Sequence, residues 1–597
     1  MAFEAPVAEI LFSMREIAGL DEAILGDVGF ETVEMILAEA GRFAEAELAP
    51  LNRVGDRQGV VFADGAVTTA PGWKQAFARF AAAGWSGVSA SERWGGQDLP
   101  VMVEMAIQEL WNAGSAAFAT GPMLSAGAIL ALEAHASDDL KQTCLPKLAA
   151  GTWTATMNLT EPQAGSDLGA LTTRAERAED GSYRITGQKI FISYGEHDLA
   201  ENIVHLVLAR LPDAPVGTRG ISMFVVPKFL ADEGGGLGAR NAVAAAGVEH
   251  KLGLHGSPTC TMVYDGAVGY LVGEEHRGLA CMFTMMNVTR LSVGIQAVGV
   301  AERATQEALA YARERRQGRA PGHTGEGMSR LIEHPDVQSM LLRMTSVTAA
   351  SRAICYTCAH AIDMSRRGSD ADRTFWAERA ALLTPIAKAF ASDAGIEVAS
   401  LGIQVHGGAG YIEETGAAQL LRDVRVFAIY EGTNGIQAID LVSRKLPLSE
   451  GGAVSRLLDD LSGTISDLNE ARRDDLGRMS VHLATALAGL RAVTDHVMTL
   501  TRDGRHNESL AGATSYLRLF GLVLGAGLLA KGALAKGSTV YNDRMVAVAR
   551  YFAETILGEA TGLRRAAMAG TTGLGADAAA VFSHGPVTND KGEGNKR

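Results

Sequence analysis

The sequence predicts a mainly α-helical protein with a central β domain and an extra helical domain towards its C-terminal end. Three observations predict it. Apolar residues keep a helical spacing over 31–51 and again over 71–151, a period of two takes over at Tyr183, and long helical segments return from Ala280 onward. At 597 residues the chain exceeds one core and needs about three to five domains of ~100 to 200 residues.

Residues 1–35 read as a helical extension and 36–152 as an N-terminal helical domain. Spacing within 31–51 is helical, and Pro50 is expected to end that helix. Residues 153–275 form the β domain: Asp180-Gly181 is a turn signal, residues 183–193 alternate like a strand, and 203–210, 221–227 and 261–265 follow as further strands. Residues 276–446 form a helical bundle, clearest over 297–316, 335–365 and 374–401. Pro447 and Gly451-Gly452 mark a boundary, so 450–575 is a further helical domain and 576–597 a loose tail.

Composition narrows the function classes. Hydrophobic residues at 47% and charged residues at 20% describe a globular chain, and a net charge of -14 argues against nucleic acid or an anionic membrane surface as partner. Five scattered cysteines point to a reducing cytoplasm rather than a disulfide framework. The C-x-x-C of Cys355 and Cys358 lies in an alanine-rich helical stretch and reads as buried structural thiols. The fourteen histidines do not cluster with cysteines or carboxylates, so no metal is expected. Residues 1–20 carry no export signal, and the apolar run 519–535 contains Lys531 and reads as a core helix rather than a membrane span.

Three segments carry chemistry. TEPQAGSD at 160–167 is either an ordinary capped turn or a loop offering backbone N–H groups and hydroxyls to a phosphate or a flavin edge. QVHGGAGY at 404–411 permits close backbone approach, but lacks the spacing of a dinucleotide fingerprint. IYEGTNGIQ at 429–437 places Glu431 in a break between helices, with Asn434 and Gln437 as a cap for the next one. Glu431 is there either a desolvated general base or a solvated loop glutamate. His406 reads as packing or a cofactor-side hydrogen bond rather than a catalytic acid.

Together with KIFIS at 189–193, NVTR at 287–290, YARER at 311–315 and Arg422-Asp423, these segments resemble the FAD-dependent acyl-CoA dehydrogenase family in register from about 36 to 446. The resemblance implies a helical N-domain, a small β domain and a helical bundle. It implies Glu431 as the base that takes the α-proton, with the β-hydrogen leaving as hydride to FAD. Met157, Leu159, Thr160, Gly165 and Ser166 would line the cofactor. Phe191, Ile192 and Ser193 would stand beside the flavin, where the family usually has Trp and Thr. Arg315, Gln404, Gly407 and Gly408 would hold the adenylate half across a dimer interface, and Gly432, Thr433 and Asn434 complete the cofactor set. Ser166, Asn287, Arg290 and Tyr430 would contact the acyl-CoA, with Phe118 at the deep end of the acyl pocket or in plain core. Two departures stand out: Arg315-Arg316-Gln317-Gly318 lacks the family's Phe, and Asn287 replaces a common Asp.

The extensions resemble those of a bacterial branch containing enzymes that act on 3-methylmercaptopropionyl-CoA. A short acyl-CoA is therefore the expected substrate, an electron-transfer flavoprotein the expected acceptor, and a homodimer or dimer of dimers the expected assembly. Rival readings are a dehydrogenase for straight medium or long chains, an acyl-CoA oxidase, and an alkylation-response flavoprotein that binds DNA. Against the last, acidic and basic residues nearly balance in 450–597.

Overall fold

Helix Val101–His135 is apolar on nearly every face, so it is buried along most of its length and forms the spine of the N-terminal region. Asp363 caps it, accepting from Val101 N at 2.7 Å and Met102 N at 2.9 Å. The computed structural model describes residues 3–232, 234–535 and 539–583. The spine packs along helix Gly278–Glu314, which packs with Pro335–Arg367 and Arg373–His406 into a bundle.

Two local expectations are corrected here. The helix does not stop at Pro50; a π-helical turn, Ala44–Leu48, leads into Ala49–Gln58, which holds Pro50 in its first turn. The helix runs on without a free end, Ala49 N donating to the Ala44 carbonyl, so Pro50 is taken up at the wider π-helical turn before it. The region 36–152, expected to be a helical domain, also holds a hairpin, Val61–Ala63 with Ala66–Thr68, turned by Asp64 and Gly65 at φ 51° and 76°.

Among the described residues the β domain is a seven-stranded sheet. Tyr183–Ser193 pairs antiparallel with Thr259–Val272 on one side and Arg174–Arg177 on the other. Asn202–Arg210 pairs with Ile221–Pro227, which returns to Thr259–Val272, so the pairings close a ring. Trp153–Asn158 lies parallel to Asn202–Arg210, and Val243–Val248 flanks Thr259–Val272. Phe224, Val226, Ile185 and Tyr264 fill the interior.

Helices Gly452–Ala471, Met479–Arg502 and Ala513–Leu534 build the C-terminal region. Gly521 lets Ala513–Leu534 approach the bundle, because a Cβ there would fall 2.3 Å from the Phe390 ring. The N-terminal extension is tied in from two directions: Lys531 Nζ donates to the Ile17 carbonyl at 2.7 Å, and buried Arg352 pairs with Glu109, Glu302 and Glu9. Val101–His135, Gly278–Glu314 and Ala513–Leu534 are long and apolar enough to cross a membrane by length and composition, yet most of each apolar stretch is buried inside the protein. Of the tail expected to be loose, Ala576–Phe582 is a short helix and 584–597 lie outside the described residues. Cys355 and Cys358 are buried and unpaired, and burial pushes the Cys358 thiol up to about 12.

Candidate active site

The chain breaks between two helical segments at Tyr430–Gly432, and Glu431 adopts the left-handed conformation with φ 56°. A non-glycine residue rarely sits there, so neighbours must hold it. Gly432 follows at φ 84°, and Thr433 caps helix Asn434–Asp440 by accepting from Ile436 N at 3.2 Å. The cap is thus Thr433, where the sequence suggested Asn434 with Gln437. Asn434 turns inward instead, donating to Asp393 Oδ1 at 2.7 Å and Ser392 Oγ at 3.0 Å.

Three side chains grip the backbone of the bend. Arg290 Nε and Gln437 Nε2 donate to the Glu431 carbonyl at 3.4 and 3.3 Å, and Lys388 Nζ donates to the Gly432 carbonyl at 2.8 Å and to Asn434 Oδ1 at 3.0 Å. Lys388 is fully buried. No hydrogen bond from a described residue reaches the Glu431 carboxylate. Burial therefore pushes it up to about 7, against the opposing pull of the Arg290 and Lys388 charges. Burial likewise draws Lys388 down to about 7, with Glu431 and Asp393 holding it up. Tyr430 rises well above its ordinary range through burial and the adjacent Glu431, and its hydroxyl meets Gln296, which reaches Thr120 at 3.1 Å and Asn112 at 3.2 Å.

A second cluster joins the 159–166 loop to the end of Tyr183–Ser193. Ile190 N donates to the Thr160 carbonyl at 2.9 Å, Thr156 Oγ1 to the Ser193 carbonyl at 2.6 Å, and Lys189 Nζ to the Leu159 carbonyl at 2.9 Å. The loop is fastened by Glu161, which accepts from Lys189 at 2.8 Å and from the N–H and hydroxyl of both Thr172 and Thr173. These donors hold the Glu161 carboxyl down at about 2, although burial opposes them. Met157, Leu159 and Thr160 are half-buried, Gly165 and Ser166 exposed. Phe191 stands out from the strand at φ 59° with 60% of its surface exposed, beside buried Ile192.

Arg315, Gln404, Gly407 and Gly408 are not brought to Glu431 within one chain. Arg315 follows the last residue of Gly278–Glu314, and a rise of ~1.5 Å per residue puts it roughly 37 Å from Arg290. It shares its end of the bundle with the glycine-rich string, as Tyr311 stacks on His406 at 4.5 Å. His406 Nδ1 also lies 2.7 Å from the Gly402 carbonyl, which is a packing role. Asn287 is exposed three residues before Arg290 on the same helix. Phe118 takes the plain-core place: it is 1% exposed and its ring packs 5.5 Å from Trp73 and 6.0 Å from Phe80.

Sequence reading missed Lys388, Gln296, Gln437 as a backbone clamp, and the Glu161–Lys189 pair. A lysine interrupting the apolar run 382–391 was the one available signal for Lys388. Among the described residues no group of three or more His, Cys, Asp or Glu is placed to hold a metal.

Comparisons with known proteins agree with this layout. Residues 31–152, 156–267 and 276–446 match the N-terminal, middle and C-terminal domains of acyl-CoA dehydrogenase, and 457–576 match the acetyl-CoA dehydrogenase C-terminal-like domain. The chain is 42% identical to the 3-methylmercaptopropionyl-CoA dehydrogenase of Ruegeria pomeroyi, over 94% of this chain and 97% of that protein. It is 37% identical to a butyryl-CoA dehydrogenase of Syntrophomonas wolfei, over 74% and 75%. The fold matches the acyl-CoA dehydrogenase of Bacillus anthracis solved with FAD, with a TM-score of 0.74 at 20% identity, covering 92% of this chain and 91% of that one. Family domains spanning most of the chain, arranged around the half-buried Glu431 carboxylate in a strained bend, lead to one conclusion: this chain belongs to the acyl-CoA dehydrogenase family, a family of FAD-dependent oxidoreductases.

Proposed function

We propose that the protein oxidises a short acyl-CoA thioester to its trans-2-enoyl-CoA, with Glu431 as the base that removes the α-proton. One observation carries this reading: Glu431 is a half-buried carboxylate without a hydrogen-bond donor among the described residues, brought up to about 7 in a backbone conformation that three neighbours hold in place. A base of that strength is about half ionised at neutral pH and basic enough to take a proton. The backbone N–H of Glu431 serves the thioester oxygen, where negative charge develops as the proton leaves. Arg290 and Gln437 hold the carbonyl of the same residue and so support the bend that carries that N–H.

The residues present fit FAD. Gly165, Gly407 and Gly408 have open space where a Cβ would stand, and the exposed Phe191 ring with the Thr160 and Ser166 hydroxyls offers a flat face and donors. When bound, FAD supplies the acceptor for the β-hydrogen and its electron pair. Met157, Leu159, Thr160, Gly165, Ser166, Phe191, Ile192, Ser193, Gly432, Thr433 and Asn434 would hold its flavin half. Arg315, Gln404, Gly407 and Gly408, remote from Glu431 in one chain, would hold the adenylate half of the partner's cofactor in a homodimer. Ser166, Asn287, Arg290 and Tyr430 would meet the CoA thioester.

The relatives from Ruegeria pomeroyi and Syntrophomonas wolfei support a short acyl chain, and 3-methylmercaptopropionyl-CoA is the first substrate to try. An electron-transfer flavoprotein is the proposed acceptor and the cytoplasm the proposed compartment. Glu431→Gln should retain FAD and bind acyl-CoA but lose at least ~10³-fold in the rate of flavin bleaching. Near-normal bleaching in that variant removes the assignment. A kcat/KM that rises steadily from butanoyl- to dodecanoyl-CoA removes the short-chain reading.

A further inference from the structure

The Glu431 bend rests on a lysine that the proposed reaction does not use. Lys388 has no exposed surface, although an ammonium is among the costliest groups to bury. It lies in the apolar middle of Arg373–His406, three residues after Pro385. Its contacts all face one way. Nζ donates to the Gly432 carbonyl and Asn434 Oδ1, while Asn434 is held from its other side by Asp393, Ser392 and the Ala389 carbonyl. A residue wanted only for packing would be Leu or Met, which fill the same volume without a desolvation cost.

We propose that Lys388 is a positioning residue whose ammonium, held beneath the left-handed Glu431–Gly432 bend, keeps the Glu431 carboxyl ionised at neutral pH. This rests on the reading of Glu431 as the base. The other charges around the pair are few. Arg290 on Gly278–Glu314 faces both groups and shares its charge with Asp440, which also pairs with Arg444 and Lys445. Asp393 faces Lys388 from its own helix, and Tyr430 adjoins the carboxylate. Arg290, which also serves Asp440 and the Glu431 backbone carbonyl, pulls on the carboxylate more strongly, and Lys388 is the second buried cation that offsets it. In a medium of low effective dielectric, a charge one residue away acts strongly on a proton equilibrium. The two groups should titrate as a pair rather than singly.

The test uses holoenzyme of Lys388→Met, which keeps the volume, Lys388→Gln, which keeps an N–H donor, and Lys388→Arg, which keeps the charge. Infrared difference spectra follow the Glu431 carboxyl, its band assigned by its loss in Glu431→Gln. Anaerobic bleaching by butanoyl-CoA is measured across pH in parallel. Both uncharged variants should move the carboxyl titration and the acid limb of bleaching up by about one pH unit or more, a roughly tenfold loss on the acid side that disappears at alkaline pH. Lys388→Arg should restore the parent midpoint. An unmoved midpoint in Lys388→Met or Lys388→Gln, or a loss of equal size at every pH, overturns the proposal. Failure of the base reading looks different: Glu431→Gln would then bleach normally, while the infrared midpoint still reports on Lys388.

Discussion

Glu161 with Lys189 and Glu431 with Lys388 set the same two residue types in opposite arrangements. Glu161 beside Lys189 is saturated with donors, and its carboxyl is held down at about 2. Glu431 beside Lys388 has a carboxylate without a donor among the described residues, and burial brings it up to about 7. In the first, the lysine bonds the carboxylate; in the second, it bonds the backbone next to the carboxylate. The difference teaches how one residue type serves two ends. A satisfied carboxylate ties a loop together, and an unsatisfied one keeps its lone pairs for a proton.

The largest effect that would break this comparison is on folding. Glu161→Gln leaves the Lys189 ammonium buried without its counter-charge and should cost about 3–5 kcal/mol in denaturant unfolding. A cost below about 1 kcal/mol would mean that the pair is not what holds the loop. Glu431→Gln should do the reverse. Because the folded carboxyl titrates near 7 instead of near 4.5, the folded state binds more protons between those values, and stability falls as pH rises through that window. An amide does not ionise, so at pH 8 the variant should be more stable by about 1–2 kcal/mol, discounted for the partial exposure of Glu431. Equal melting temperatures at pH 8 would contradict the unsatisfied carboxylate. Smaller still, Arg315→Ala should weaken FAD about tenfold, near 1.4 kcal/mol, without moving acyl-chain preference. A variant that purifies fully loaded with the parent dissociation constant would place Arg315 outside the cofactor site.

Parts of the fold were legible for a physical reason. Tyr183–Ser193 and Ile221–Pro227 match their expected bounds because one alternates and both end at turn residues. Arg174–Arg177 was hidden because its polar residues carry no pattern, and its pairing is set by neighbours distant in sequence. The hairpin at Asp64-Gly65 did carry a signal, but it was submerged in a helical reading of the flanks. In the site, the Glu431-Gly432 break could be read locally, since glycine after glutamate interrupts a helix. Lys388 and Lys189 could not be singled out, because burial of a lysine is decided by which helix or strand covers it. The burial of Phe118 is decided in the same way: Trp73 and Phe80 reach it across the fold.

The central claim is that Glu431 takes the substrate proton from a carboxylate tuned to the neutral range. Anaerobic stopped-flow bleaching of the holoenzyme by saturating butanoyl-CoA, followed from pH 5 to 9, tests it most directly. The wild-type rate should fall as pH drops through about 7, tenfold per unit below it, as the carboxyl takes up its proton. Glu431→Gln should stay at least ~10³-fold slower at every pH. A flat wild-type profile, or a Glu431→Gln profile with the same limb and height, would contradict the account.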